Sequence, residues 1–168
     1  KSFEAAIIKP YVTVRKFNAE ADKETGRKIV SQYSRDGIHW DNGERIQPGE
    51  FQWTDDQSHA MKSFHYLVLV KGSNMPAIVS FKGASAKFAK TLNANLMYQR
   101  PCWRSWFKIF SAVEEKGGNK YHIIQSKAQP KKIVDEETAN LCLEYYRLGM
   151  VTSTEMEKEF DGETVDFK

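Results

Sequence analysis

The chain has 168 residues, 40% hydrophobic and 12% aromatic, enough to bury a core as one domain with short appendages. No apolar run approaches the ~20 residues of a membrane span, and no secretory signal is visible; the start at Lys1, without a methionine, leaves room for trimming. The net charge of +3 is uneven: residues 155–168 carry six acids against Lys158 and Lys168, a net of −4, which leaves +7 on the rest. A basic body with an acidic tail hints at nucleic acid, and a merely solvated acidic end is the plain alternative. The two cysteines, Cys102 and Cys142, have no metal spacing and read as reduced thiols of a cytoplasmic protein.

In chain order, "AAIIKPYVTVRKF" (5–17) predicts a long strand rich in β-branched residues. "KIVSQYS" predicts a second strand, and Asn42-Gly43 between Trp40 and Ile46 predicts a two-residue hairpin turn of type I′. Residues 47–62 are polar and irregular and carry Trp53. "FHYLVLVKG" (64–72) is nearly all apolar and reads as the central strand, followed after "NMP" by a strand in "AIVSFKG" (77–83). The period then changes. Phe88, Leu92 and Leu96, with Ala89 beside them, predict a helix over 84–98 with a narrow buried stripe. Strands follow at 103–114 and 119–127 around Gly117-Gly118. A last helix spans Asp135 to Leu148, with Asp135 as N-cap and Gly149 as its stop. The expected domain covers residues 1–150, with residues 151–168 as an acidic tail.

The stretch "RPCWRSWFKIF" (100–110) crowds rings beside cations. At a period of two, Trp103, Ser105, Phe107 and Ile109 point one way and Arg104, Trp106, Lys108 and Phe110 the other. In the first strand Lys9, Tyr11, Thr13, Arg15 and Phe17 repeat that alternation, opposite a core face of Ile8, Val12 and Val14, while Pro10 signals an exposed edge or a bulge nearby. A single such strand could lay its rings under a loop and let its cations reach water. Two strands with one decoration favour a platform whose rings stack on bases and whose cations meet phosphates. Tyr33 and Arg35, with Arg27 and Lys28, would extend the path. Trp40 and Trp53 are either a flap over the ligand or anchors packed on the core. Lys82, Lys87 and Lys90 either meet phosphates at the start of the helix or form a solvated face.

Antiparallel strands, a helix between the third and fourth main strands, two more strands and a C-terminal helix make a mainly β, α+β chain. The layout is that of an antiparallel barrel of the oligonucleotide-binding (OB) fold, and a plain α+β sheet gives the same order of elements. The segment "MPAIVSFKGASAKFAKTLNANL" (75–96), the basic aromatic strand after it and "GGNKYHIIQ" resemble phage-encoded single-stranded-DNA-binding proteins of replication modules, over residues 64–125. The resemblance implies an OB-fold, sequence-tolerant binding of single-stranded DNA in replication, recombination or repair, and an acidic tail that contacts replication proteins. "EFDGETVDFK" resembles such tails in its acids leading to Phe167 and departs from them in ending on Lys168. RNA remains the alternative polymer and a homodimer is compatible with the chain. The expected place is the cytoplasm of the host cell.

Little in the sequence points to an enzyme or a cofactor. His39, His59, His65 and His122 lack metal spacing, and no phosphate-binding or nucleophile-elbow motif occurs. Ser105 and Lys108 match S-x-x-K but would face apart on a strand. Glu114-Glu115-Lys116 contains the E-x-K of metal-dependent nucleases at a turn that suits a solvated corner. A structural or interaction protein of a virus particle is the other competitor.

Overall fold

The computed structural model describes residues 1–21, 28–52 and 59–160. Trp53 and Arg27, and the tail beyond residue 160, lie outside them. Strands β1 (Ser2–Ala21), β2 (Lys28–Ser34), β3 (Ala60–Val70) and β4 (Pro76–Phe81) precede helix α1 (Ala86–Met97). Strands β5 (Ser105–Lys116) and β6 (Asn119–Ile133) follow, then helix α2 (Glu136–Phe160). All pairings are antiparallel, in the order β4-β3-β1-β5-β6, with β2 also on β1.

The long β1 organises the sheet. Its residues 5–16 pair with β3 on one edge. The other edge is shared: residues 2–5 take β5 and residues 14–21 take β2. Among the described residues no strand pairs with that edge between residues 6 and 13. Ile7 lies opposite Val68 and Lys9 opposite Leu67, so Ile8 is an extra residue, a bulge. Pro10 stands next to the bulge and within the unpaired stretch, where a missing N–H is tolerated.

The bulge corrects the expected faces. Ala5 and Ile7 lie with Tyr66, Val68, Phe107 and Ile109 in the core under Ala89, Leu92 and Leu96 of α1. Ala6 and Ile8 lie on the opposite face with Leu69, Trp106 and Cys142 of α2. Ile8 therefore leaves the expected core face of Val12 and Val14, because the added residue shifts the alternation by one. Beyond the bulge Val14 packs with Trp40, Ile46 and Ala60 in a third cluster.

The sheet does not close into the expected barrel. β4 and β6 stay open at its two ends. A barrel buries one face by curling on itself, whereas here α1 covers one face and α2 the other. What stands is a mainly antiparallel α+β sheet with two helices, α1 lying between β4 and β5. Among the described residues no helix is long and apolar enough to cross a membrane.

Local signals account for several ends. The Asp135 carboxylate accepts the Thr138 N–H at 2.9 Å, capping α2, and these bonds hold its pKa below the usual carboxylate value. The helix runs on through Gly149 to Phe160, so that glycine is internal rather than a stop. One interior glycine costs about 1 kcal/mol, and no proline follows to break the helix. Gly117 and Gly118 both take positive φ and join β5 to β6 in a two-residue turn. At the other predicted turn, the Gly43 N–H bonds to Trp40 O and the Trp40 N–H to Glu44 O. The loop thus has three residues, with Gly43 at φ 87 in the left-handed position, rather than the expected two.

Trp106 is 5% exposed beneath α2. Its replacement by Ala should lower stability by about 3–5 kcal/mol, as for other large buried rings. Urea unfolding should show this as a lower midpoint at an unchanged slope.

Candidate nucleic-acid interface

Register places the two decorated strands on one sheet face, the face of α2. Lys108 pairs with Glu4. Past the bulge Lys9, Tyr11, Thr13, Arg15 and Phe17 follow on the same side as Glu4, Ala6 and Ile8. Trp106, Lys108 and Phe110 share that side on β5. Helix α2 crosses between the two sets, over Ala6, Ile8 and Trp106. The expected continuous platform is therefore two patches.

The first patch spans β3, β1 and β2. Arg15 pairs with Met61 on one side and with Tyr33 on the other. Its guanidinium carbon lies 5.7 Å from the centre of the Tyr33 ring, a cation–ring contact across strands. Phe17 pairs with Val30 in the neighbouring rung. Arg15, Tyr33 and Phe17 are half-buried, and Arg35 is exposed. Tyr33 and Arg35 also line a recess of about 460 Å3 with Asp36, His39, Trp40 and Asp41. The Asp36 carboxylate holds that loop by accepting the N–H groups of Ile38 at 2.7 Å and His39 at 2.8 Å. These bonds, and one to the His39 ring, keep it well below the usual carboxylate range.

Toward α2 the same face becomes structural. The Tyr11 ring stacks on His65 at 4.9 Å. His65 is buried, with Nε2 2.8 Å from Thr13 Oγ1 and Nδ1 2.7 Å from Ser80 Oγ. Lys9 is half-buried beside Ile8.

The second patch lies at the start of β1. Glu4, Lys108 and Lys127 form one rung across β1, β5 and β6. Lys71 donates to Glu4 Oε2 at 2.8 Å, and Gln129 and Lys132 donate to Oε1. Two lysines thus hold one carboxylate, and beside it Lys108 faces Lys127 directly, an arrangement that repels unless an anion offsets it. Phe110 is half-buried in the next rung, opposite Ser2 and Gln125. Lys71, Lys127 and Lys132 carry no joint signal in the sequence, because Lys71 follows β3 while the other two lie on β6, and only the sheet joins them.

Three expected members fall elsewhere. Trp106 cannot stack on a base from beneath α2, although Lys71 Nζ lies 5.5 Å from its ring. Trp40 is 4% exposed and donates from Nε1 to Glu50 Oε1 at 3.3 Å, so of the two readings it is the core anchor and not a flap. Arg104 is exposed, but it sits in the turn before β5 and not on the strand. Trp103 in the same turn packs toward α2, its ring 5.6 Å from Tyr146, and not on the Phe107 side as expected.

The residues weighed for catalysis hold ordinary contacts. Ser105 is buried and donates to Gln99 Oε1 at 2.8 Å. Glu114 accepts Lys87 Nζ at 2.7 Å and the Tyr121 hydroxyl at 3.2 Å, which takes Lys87 away from the helix start. Among the described residues no group of His, Cys, Asp and Glu is placed to hold a metal ion. No protein family, curated protein or solved structure matches the chain.

Hydrogen bonds from Lys132, Lys71 and Gln129 pull the Glu4 pKa from 4.5 down to about 2. A depressed folded-state pKa means that this cluster stabilises the fold fully above about 4.5 and loses that effect as pH falls toward 2. The Glu4 carboxyl carbon, followed by NMR, should titrate near 2, and Glu4→Gln should remove this part of the acid sensitivity.

Proposed function

We propose that this protein binds single-stranded nucleic acid, with little sequence preference, across the sheet face that carries Arg15 and Tyr33. The observation that carries the reading is the rung Met61–Arg15–Tyr33 beside the recess lined by Tyr33 and Arg35. A ring backed by a cation offers a base a stacking surface, and the recess gives the base room. Arg15 and Arg35 serve the flanking phosphates. The lysines near Glu4 add a second, cationic contact for phosphates on the same face, beyond α2. Stacking has no code for base identity, because every base has a flat face, so the binding tolerates sequence.

The reading does not need a closed barrel. It uses an open antiparallel face, as several sheet-based binders of single strands do. Its place in phage DNA replication, recombination or repair rests on the resemblance of residues 64–125, with DNA ahead of RNA on that ground. The acids of residues 155–168 suit contact with replication proteins, and they would compete with nucleic acid for the basic face when unengaged.

Fluorescent oligo-dT, oligo-rU and duplex, titrated at two salt concentrations, test the reading. Single strands should bind more tightly than duplex, whose paired bases hide their faces. Tyr33→Ala should cost about 1–3 kcal/mol of binding, the worth of one stacked base. Arg15→Ala should weaken all sequences evenly and flatten the salt dependence by about 0.7 in log K against log salt, one phosphate contact on a single strand. Equal affinity for duplex, with Tyr33→Ala silent, would reduce the face to a basic patch and end the stacking reading.

A further inference from the structure

On the other face of the sheet the covering is incomplete. Along β1, Ile7 lies under α1 and Val14 under the Trp40 cluster. Between them Pro10 and Val12, with Phe64 and Tyr66 of β3, floor a cavity of about 350 Å3. Helix α1 ends at Met97 and so stops short of the Trp40 cluster. Leu96 and Met97 form the wall at its end, and Met97 is 74% exposed. The size is that of a site for a small molecule.

The polar side chains that line it are Tyr11, Tyr66, Asn93, Arg100 and the Cys102 thiol. Asn93 Oδ1 accepts the buried Tyr66 hydroxyl at 2.8 Å, which orients the amide and leaves Nδ2 as a donor. Arg100 lines the cavity from the exposed turn after α1, and its charge reaches the Cys102 thiol. No carboxylate is among the lining residues. An apolar floor with an amide donor and a guanidinium matches an apolar body that ends in an anion.

We propose that this cavity binds a small amphipathic carboxylate. Its apolar chain would lie on Val12, Phe64 and Leu96, and its carboxylate would meet Arg100 and Asn93. The site is on the opposite face from Arg15 and Tyr33 and does not depend on the nucleic-acid reading.

Cys102 lines the cavity and gives a local reporter. The other cysteine, Cys142, is fully buried, with burial pushing its thiol up to about 12. Burial raises the Cys102 thiol as well, so alkylation by iodoacetamide is best followed at mildly alkaline pH. The full chain is titrated with octanoate, with octanol as the neutral counterpart and with thymidine 5′-monophosphate. Octanoate should bind saturably, and at ten times its Kd should slow Cys102 alkylation about tenfold, since roughly a tenth of the sites stay open. Arg100→Gln, an exposed change that leaves the core alone, should weaken octanoate about tenfold and octanol hardly at all. Absence of saturable binding, or binding that leaves the Cys102 rate unchanged, would overturn the proposal. So would an equal loss for octanol and octanoate in Arg100→Gln. Protection by the nucleotide and not by octanoate would make the cavity a nucleotide site and overturn it equally.

Discussion

One extra residue, Ile8, sets which way most of β1 faces. A strand alternates strictly, so a continuous β1 that put Ala5 and Ile7 under α1 would also turn Arg15 and Phe17 toward that side. The bulge shifts the alternation once. Odd residues serve the α1 core before it, and even residues serve the cavity floor and the Trp40 cluster after it. Lys9, Tyr11, Arg15 and Phe17 thereby join the face of Glu4 and Lys108. The juxtaposition of the two decorated strands depends on this one step in register.

The same face has to satisfy a second demand. Ala6, Ile8, Leu69 and Trp106 present apolar surface that water would otherwise cover, and α2 packs on it. A buried indole removes roughly 150–250 Å2 from water, about 4–6 kcal/mol at ~25 cal/mol per Å2. A ring left open to stack on one base gains about 1–3 kcal/mol, and only when ligand is present. Burial wins for Trp106. The half-buried rings Phe17 on β1 and Tyr33 on β2 lie farther along the sheet, away from the cluster under α2. The proposed binding is thus confined to the part of the face that packing leaves over.

Signals carried by neighbouring residues were legible in the sequence. The strand Lys28–Ser34, the stripe Ala89–Leu92–Leu96 and the Asp135 cap all follow from spacing within one element. The bulge was not, because residues 8–16 alternate well enough to hide the change of parity at Ile8. Pro10 was the one hint. Trp106 was misplaced because its cover, Cys142 and its neighbours on α2, lies more than thirty residues away. The sequence leaves Trp40 between two readings, because Val14 and Ala60, which bury it with Ile46, lie far from it along the chain. The lysines that hold Glu4 were invisible for the same reason, since Lys71 and Lys132 meet only across the finished sheet. Gly149 reads locally as a helix stop, yet eleven further residues carry the helix beyond it.

The pairings of β1 also order the way the chain can assemble. Its contact with β2 closes a short connection, that with β3 a separation near fifty residues, and that with β5 one above a hundred, from Ser2 to Phe110. The entropy of closing a loop grows slowly with its length, but such non-local contacts slow the search for the native state. The β5–β6 hairpin, with its tight glycine turn, can form on its own and then dock as a unit. Until it does, the first residues of β1 keep a bare edge, able to pair with any other extended chain nearby. During synthesis that edge emerges from the ribosome long before β5, so β1 is exposed to mispairing meanwhile, and Lys1 and Glu4, charged residues at its beginning, stand where such contacts would start.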